Sequence, residues 1–213
     1  MSIVTKRIAA ISPSLTLAIT AKAKAMKAEG KSVIGFGAGE PDFNTPQHII
    51  DAAKDALDKG YTKYTPSSGL PALRAKIAEK LKAEQGLDYD MSQIVVSSGA
   101  KHSIFNAMFA LVEEGDEVII PAPYWLTYPE VVKVCGGKSV FVEGHKENHF
   151  KISPEDLKKA ITPKTKVLVF NSPSNPTGAV YTEEEIRAIG KVVEEAGIWV
   201  ISDEIYSKLI YDG

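Results

Sequence analysis

The chain has 213 residues, 44% of them hydrophobic and 24% charged, with a formal net charge of -2. That is enough apolar material for a real core, and it leaves no basic face for nucleic acid and no polybasic patch for a membrane. The single cysteine, Cys135, excludes an internal disulfide and fits a reducing compartment; with no signal-peptide core and no run long enough to span a bilayer, a cytoplasmic protein is expected.

Residues 1–12 read as an arm. Ser12 and Pro13 then predict a helix to about Glu29, with Leu15, Ile19, Ala23 and Met26 on one face and Gly30 as its stop. A short strand is predicted over 33–36, before the glycine- and proline-rich loop GAGEPDFNTP. Thr45 and Pro46 open the next helix, whose Ile49, Ile50, Ala53, Ala56 and Leu57 predict a buried stripe ending at Gly60. After the turn YTKYTPSSG, Leu70, Leu73, Ile77 and Leu81 mark a helix closed by Gly86.

From there strands and helices alternate. A strand over 94–97 leads through Ser98, Gly99 and Ala100 into a helix carrying Ile104, Phe105, Met108 and Leu111. A strand over 117–121 is followed by Pro123, Tyr124 and Trp125, then by a helix with Tyr128, Val131, Val132 and Cys135 on one side. A strand over 139–142, the loop GHKENHF and a short helix opened by Ser153 and Pro154, with Asp156 completing a capping box, come next. Residues 166–206 then read as KVLVF, NSPSNPTGAV, a helix opened by Thr182, and IWVISDEIY: a βαβ unit with polar clusters at the carboxyl ends of its strands. This alternation predicts an α/β fold, three layers deep (α/β/α), with a mainly parallel sheet. Residues 1–45 do not join it and are assigned to an arm and a separate segment, with 46–213 forming the sheet domain. Signals that would close a finished sheet are lacking at the end of the chain, so a fragment is expected.

Each chemical candidate has a plain alternative. SSGAK at 97–101 sets small residues where a strand enters a helix, either as a phosphate cradle of free N–H groups or as a helix start without a ligand. GFGAG at 35–39 lacks the third glycine of a dinucleotide fingerprint, and EPDFNTP cannot begin a helix, so a nicotinamide-dehydrogenase reading is poor. Tyr124 and Trp125 serve either in packing or as a flat surface for a planar cofactor. His145 and His149 have no third ligand nearby, no serine has a nucleophile-elbow context, and no metal site is expected. Asp203 follows four apolar residues and Ser202; a carboxylate there needs a partner, either a lysine or arginine of the chain or a cation belonging to a cofactor.

Assembled, the chain resembles the fold-type I pyridoxal-phosphate-dependent aminotransferases, and within them the aspartate aminotransferases of class I. The carriers are GAGEPDF at 37–43, KYTPSSGLPALR at 63–74, SSGAK at 97–101, PAPYWLTYPE at 121–130, NSPSNPTGAVY at 171–181 and SDEIY at 202–206, six segments in family order from about Ser12 to the last residue. The resemblance implies the large domain of that fold, incomplete, with an N-terminal helical segment of the small domain. It implies that Asp203 bonds the pyridine nitrogen of pyridoxal 5'-phosphate and keeps it protonated, and that Asn175 and Tyr206 bond the phenolic oxygen. Ser98, Gly99, Ala100 and Lys101 would surround the phosphate and Trp125 would stack on the ring. Tyr64 would reach the phosphate of a neighbouring subunit, which makes the enzyme a homodimer. Gly39, with Trp125 and Asn175, would border the substrate.

The implied reaction is reversible amino transfer between an amino acid, L-aspartate above all, and a 2-oxo acid such as 2-oxoglutarate. In the family the lysine that holds the cofactor as a Schiff base, and the arginine that grips the substrate carboxylate, lie beyond the SDEIY strand, and no lysine here sits in a matching motif. The isolated 213-residue chain is therefore expected to be inactive and to give no borohydride-trappable adduct at a specific site. Alternatives are an aminotransferase for aromatic amino acids, prephenate or alanine, a related lyase, and a non-catalytic module that binds a phosphorylated ligand or a partner.

Overall fold

The computed structural model describes residues 3–37, 39 and 43–211. In chain order its elements are helices α1 (Lys6–Ala9), α2 (Leu15–Ala28), α3 (Gln47–Asp58), α4 (Pro71–Gln85) and α5 (Ala100–Leu111), strand β1 (Glu117–Ala122), helix α6 (Thr127–Cys135), strand β2 (Lys138–Glu143), helix α7 (Pro154–Ala160), strand β3 (Thr165–Asn171), helix α8 (Glu183–Ala196) and strand β4 (Trp199–Asp203). They cluster into two compact units, one built from residues up to 12 and from 98 onward, the other from 13–97. Among the described residues no helix is long and apolar enough to cross a membrane.

Strands buried on both faces need apolar side chains at consecutive positions, because successive residues point to opposite sides. The runs in β1 and β3 meet that need. Val118, Ile120, Val167 and Val169 face Ile104 and Met108 of α5 and Tyr128, Val131 and Val132 of α6. Their neighbours Ile119, Leu168 and Phe170 face Leu157 of α7 and Ile189 and Val193 of α8. Two cores back to back on one sheet make the three-layer α/β/α arrangement expected from the sequence. All four strands are parallel, in the order β2-β1-β3-β4. The chain leaves β1 for β2 on one side and returns to β3 on the other, so its direction reverses between β1 and β3, the switch point where open α/β sheets hold ligands at their carboxyl ends. The β3–β4 register sets Asn171 directly beside Asp203.

Local chemistry fixes the helix starts. Ser153 Oγ accepts from the Asp156 N–H at 3.1 Å while Asp156 Oδ2 accepts from the Ser153 N–H at 3.4 Å, and Thr182 and Glu185 repeat the exchange at 3.3 and 2.8 Å. Glu185 also takes Lys151 Nζ at 2.6 Å, and Lys151 itself is buried. Burial works against the charge of Glu185, but hydrogen bonds from Lys151 and the Thr182 N–H, with the positive charge of Lys151, outweigh it and hold the carboxyl below its ordinary 4.5. A depressed folded value means that the contribution of this group is full above pH 4.5 and is lost as the pH falls through the lower folded value. Urea midpoints measured across that range are expected to fall with pH more steeply for the parent than for Glu185→Gln; parallel slopes would show that the pair adds nothing.

In the 13–97 unit, helices appear where predicted, and Gly30, Gly60 and Gly86 follow α2, α3 and α4 with positive φ. Three expectations need correction. The N-cap of α2 is Ser14, whose Oγ accepts from the Leu17 N–H at 3.4 Å, and α1 lies within the predicted arm. The stripe on α3 is not buried: Ile49 and Leu57 are exposed, because an amphipathic face stays wet unless another element covers it. Residues 33–36 and 94–97 form no strand among the described residues, since a strand exists only through ladder bonds to a neighbour. The second of these runs is held instead by Arg74, whose Nε donates to the Ile94 carbonyl at 2.8 Å, and by one bond from the Val96 N–H to the Ser68 carbonyl at 3.0 Å.

Candidate active site

The carboxyl ends of β1, β3 and β4 and the amino end of α5 enclose a cavity of about 300 Å³, lined by Ser98, Gly99, Ala100, Lys101, Trp125, Tyr128, Asn171, Asn175, Asp203 and Tyr206, with Ile104 and Ile205. Eight of the predicted site residues meet there: Ser98, Gly99, Ala100, Lys101, Trp125, Asn175, Asp203 and Tyr206. The other two, Gly39 and Tyr64, belong to the 13–97 unit, where both are exposed. Of the GAGEPDF segment, residues 38 and 40–42 lie outside the described residues.

Gly99 caps α5 with φ 81° and ψ 165°, a conformation essentially restricted to glycine. The turn it makes leaves the N–H groups of Gly99, Ala100 and Lys101 without an acceptor among the described residues, whereas the Ser98 N–H is taken by His102 Nδ1 at 3.2 Å. Three free donors at the positive end of a helix dipole suit an anion. A Cβ on Gly99 would meet nothing within 4 Å, so alanine there is opposed by backbone strain alone. Gly99→Ala is expected to lower unfolding stability by about 1–3 kcal/mol in urea titration, and an unchanged midpoint would contradict the positive φ.

The aromatic pair divides between its two possible roles. Tyr124 stacks on Phe141, with ring centroids 4.7 Å apart and planes at 12°, and is a packing residue. Trp125 lines the cavity, with Lys101 Nζ 5.4 Å from its ring centroid. The loop after β3 closes on itself through the Ser174 N–H to the Ala179 carbonyl at 2.9 Å and the Gly178 N–H to the Ser174 carbonyl at 2.8 Å. The peptide bonds before Pro123, Pro173 and Pro176 are cis. Asn175 projects from this stiff loop, and its Nδ2 donates to Tyr206 Oη at 3.2 Å, so the two side chains form one polar pair.

Asp203, half-buried at the end of β4, takes part in none of the ion pairs among the described residues. Its Oδ2 accepts from Tyr128 Oη at 2.8 Å, its Oδ1 from the Ile205 N–H at 3.2 Å, and its backbone carbonyl from Asn171 Nδ2 at 2.9 Å. Tyr128 is 2% exposed; burial first, then the hydrogen bond and charge of Asp203, push its phenol well above the ordinary tyrosine range. The phenol is therefore a permanent donor. Asn171 works at both ends, since its Oδ1 also accepts from the Asn175 N–H at 3.0 Å and so ties the loop to the strand.

Tyr128 and Asn171 line the cavity, and sequence reasoning assigned neither to it. The sequence places Tyr128 on one side of a helix with Val131, Val132 and Cys135, and its ring does lie in the core; the available signal for the site is its place three residues after Trp125, where the chain enters α6. For Asn171 the signal was its position as the last residue of a strand neighbouring the one that ends in Asp203.

The arrangement fits pyridoxal phosphate. A carboxylate without a cationic partner among the described residues, a phenol–amide pair, an indole face and an anion-binding turn open into one space, as a charged aromatic ring bearing a phosphate requires.

Comparison with known proteins agrees. Residues 31–213 match the family model described as Aminotransferase class I and II. The chain is 62% identical to the aspartate aminotransferase of Bacillus subtilis over 208 residues, covering 98% of this chain and 53% of that protein. It is 51% identical to the aspartate/prephenate aminotransferase of Nitrosomonas europaea, with the same coverage. Among solved structures, the aspartate aminotransferase of Thermus thermophilus with maleate superposes with a TM-score of 0.97 at 45% identity, covering 100% of this chain and 56% of that one. The chain thus spans about half the length of the curated relatives it matches.

Proposed function

Because the chain belongs to the class I and II aminotransferases, we propose that the whole protein is a pyridoxal-phosphate-dependent transaminase exchanging the amino group of L-aspartate, or a close relative, with 2-oxoglutarate. The observation that carries this reading is Asp203: among the described residues, a carboxylate engaged by a phenol and not by a cation, in one cavity with Asn175, Tyr206 and the free N–H groups of α5. When bound, pyridoxal phosphate supplies an electron sink for the pair left on an amino acid's α-carbon when its proton departs.

The chain's residues take the following parts in this proposal. Asp203 holds a proton on the ring nitrogen, because a neighbouring carboxylate favours the cationic form. Asn175 and Tyr206 bond the phenolic oxygen, the N–H groups of Gly99, Ala100 and Lys101 bind the phosphate with Ser98 beside them, and Trp125 covers one face of the ring and excludes water. Gly39 borders the substrate carboxylate, together with Trp125 and Asn175. Tyr64 reaches the phosphate of a second subunit, so the protein works as a homodimer, in the cytoplasm. Residues 1–45 then form the arm and small-domain segment and 46–213 belong to the large domain.

A dicarboxylic substrate is supported by the names of the relatives and by the maleate in the Thermus structure. Prephenate is the second reading, favoured by the relatives named for both substrates. The test is to assay the whole protein, loaded with pyridoxal phosphate, against aspartate, phenylalanine, alanine and glutamate with 2-oxoglutarate, and against prephenate with aspartate. Turnover is expected to be highest with aspartate and 2-oxoglutarate. No turnover with any pair, while the cofactor binds, would point to a non-catalytic binding module.

A further inference from the structure

We propose that Tyr128 is a positioning residue: its buried hydroxyl holds the Asp203 carboxylate in the orientation from which it engages a ring cation in the cavity. This role rests on the cofactor reading given above. The ring of Tyr128 lies in the core between α6 and the sheet, with Val131, Val132 and Val169 in the same cluster. Packing alone would be served equally well by phenylalanine. A hydroxyl carried into that core needs a partner, since an unpaired buried O–H is costly. The partner it has is the carboxylate at the tip of β4, 75 residues away in sequence.

Each oxygen of Asp203 has its own tether. Oδ2 takes the Tyr128 hydroxyl and Oδ1 the Ile205 N–H, while Asn171 secures the backbone carbonyl of the same residue. Rotation about the Cβ–Cγ bond would break two hydrogen bonds at once, so the plane of the carboxylate is set by the protein. A charged group already oriented loses less freedom when its ligand arrives, which is the physical content of preorganisation. Ile205 donates through its backbone N–H, which no side-chain change short of proline removes, and proline would also fix φ. Tyr128 is thus the adjustable half of the clamp.

The experiment is a double-mutant cycle on cofactor affinity. Pyridoxal phosphate is titrated into the protein and its Tyr128→Phe, Asp203→Asn and doubly substituted forms, with Kd read from tryptophan fluorescence; circular dichroism induced in the cofactor's absorption band gives a second readout of ring orientation. Tyr128→Phe keeps the buried ring, and urea denaturation verifies that each form is folded. Tyr128→Phe is expected to weaken binding about tenfold in the parent, yet less than about twofold when Asp203 is already Asn, and to reduce the induced dichroism per bound cofactor. Additive losses, or a parent-like Kd and dichroism in Tyr128→Phe, overturn the positioning role and leave the cofactor reading standing. Absence of binding by the parent, or no loss in Asp203→Asn, defeats the cofactor reading and the positioning role with it.

Discussion

Replacing Asp203 with asparagine is expected to lower the rate of amino transfer by the whole protein about 10²–10³-fold and to weaken pyridoxal phosphate binding about 10–100-fold. The side chains are nearly the same shape, so the change tests charge and not packing. A carboxylate keeps a proton on a neighbouring ring nitrogen by favouring the cation; an amide has no charge with which to do so. The existing contacts sharpen the loss. Tyr128 Oη and the Ile205 N–H both donate to Asp203, and an Asn side chain can accept both only through its single carbonyl oxygen, so one of the two donors would face an NH₂ group. Asp203→Glu restores the charge but moves it outward by a methylene, and intermediate activity is expected. Full activity in Asp203→Asn, measured as oxaloacetate formed from aspartate and 2-oxoglutarate, would remove this residue from the chemistry.

The second large effect belongs to the scaffold. Leu168→Ala is expected to cost about 2–5 kcal/mol of unfolding free energy, a large part of the 5–15 kcal/mol that holds a typical domain folded. Leu168 is fully buried, on an interior strand, in the cluster formed with Ile119, Leu157, Ile189 and Val193. Removing most of its side chain leaves a void that neighbours from two helices and two strands cannot all move to fill. Val200, one strand over on β4, is 43% exposed, and Val200→Ala is expected to change stability by less than about 1 kcal/mol. Urea denaturation of both variants checks the contrast, and equal midpoints would mean that the α7–α8 layer does not close over β3.

How much of this was legible in advance depended on the range of the interactions. The capping box at Ser153 and the helix start at Thr182 were readable because the groups that make them lie within one turn of helix. The runs EVIIP and KVLVF announced strands covered on both faces, and their alternation with helices led directly to the parallel three-layer sheet. Residues 33–36 and 94–97 carry similar apolar runs and form no strand among the described residues, because a ladder needs a second chain segment that local composition cannot specify. The stripe on α3 failed as a burial prediction for the same reason: amphipathicity says which side would be covered and not whether anything covers it.

The candidate site follows that division. Residue types and spacing along the chain determined which side chains could do the chemistry: a strand-end acid at Asp203, an amide in a proline-stiffened loop at Asn175, a glycine turn at Gly99 and an indole at Trp125. Only the tertiary structure decided how they are aimed. The bond from Tyr128 to Asp203 spans 75 residues and that from Asn171 to Asp203 spans 32, and both depend on strand order and register. Periodicity and capping are short-range effects that a sequence carries on its face, whereas the direction of a carboxylate is set by whichever donors the packed sheet brings beside it.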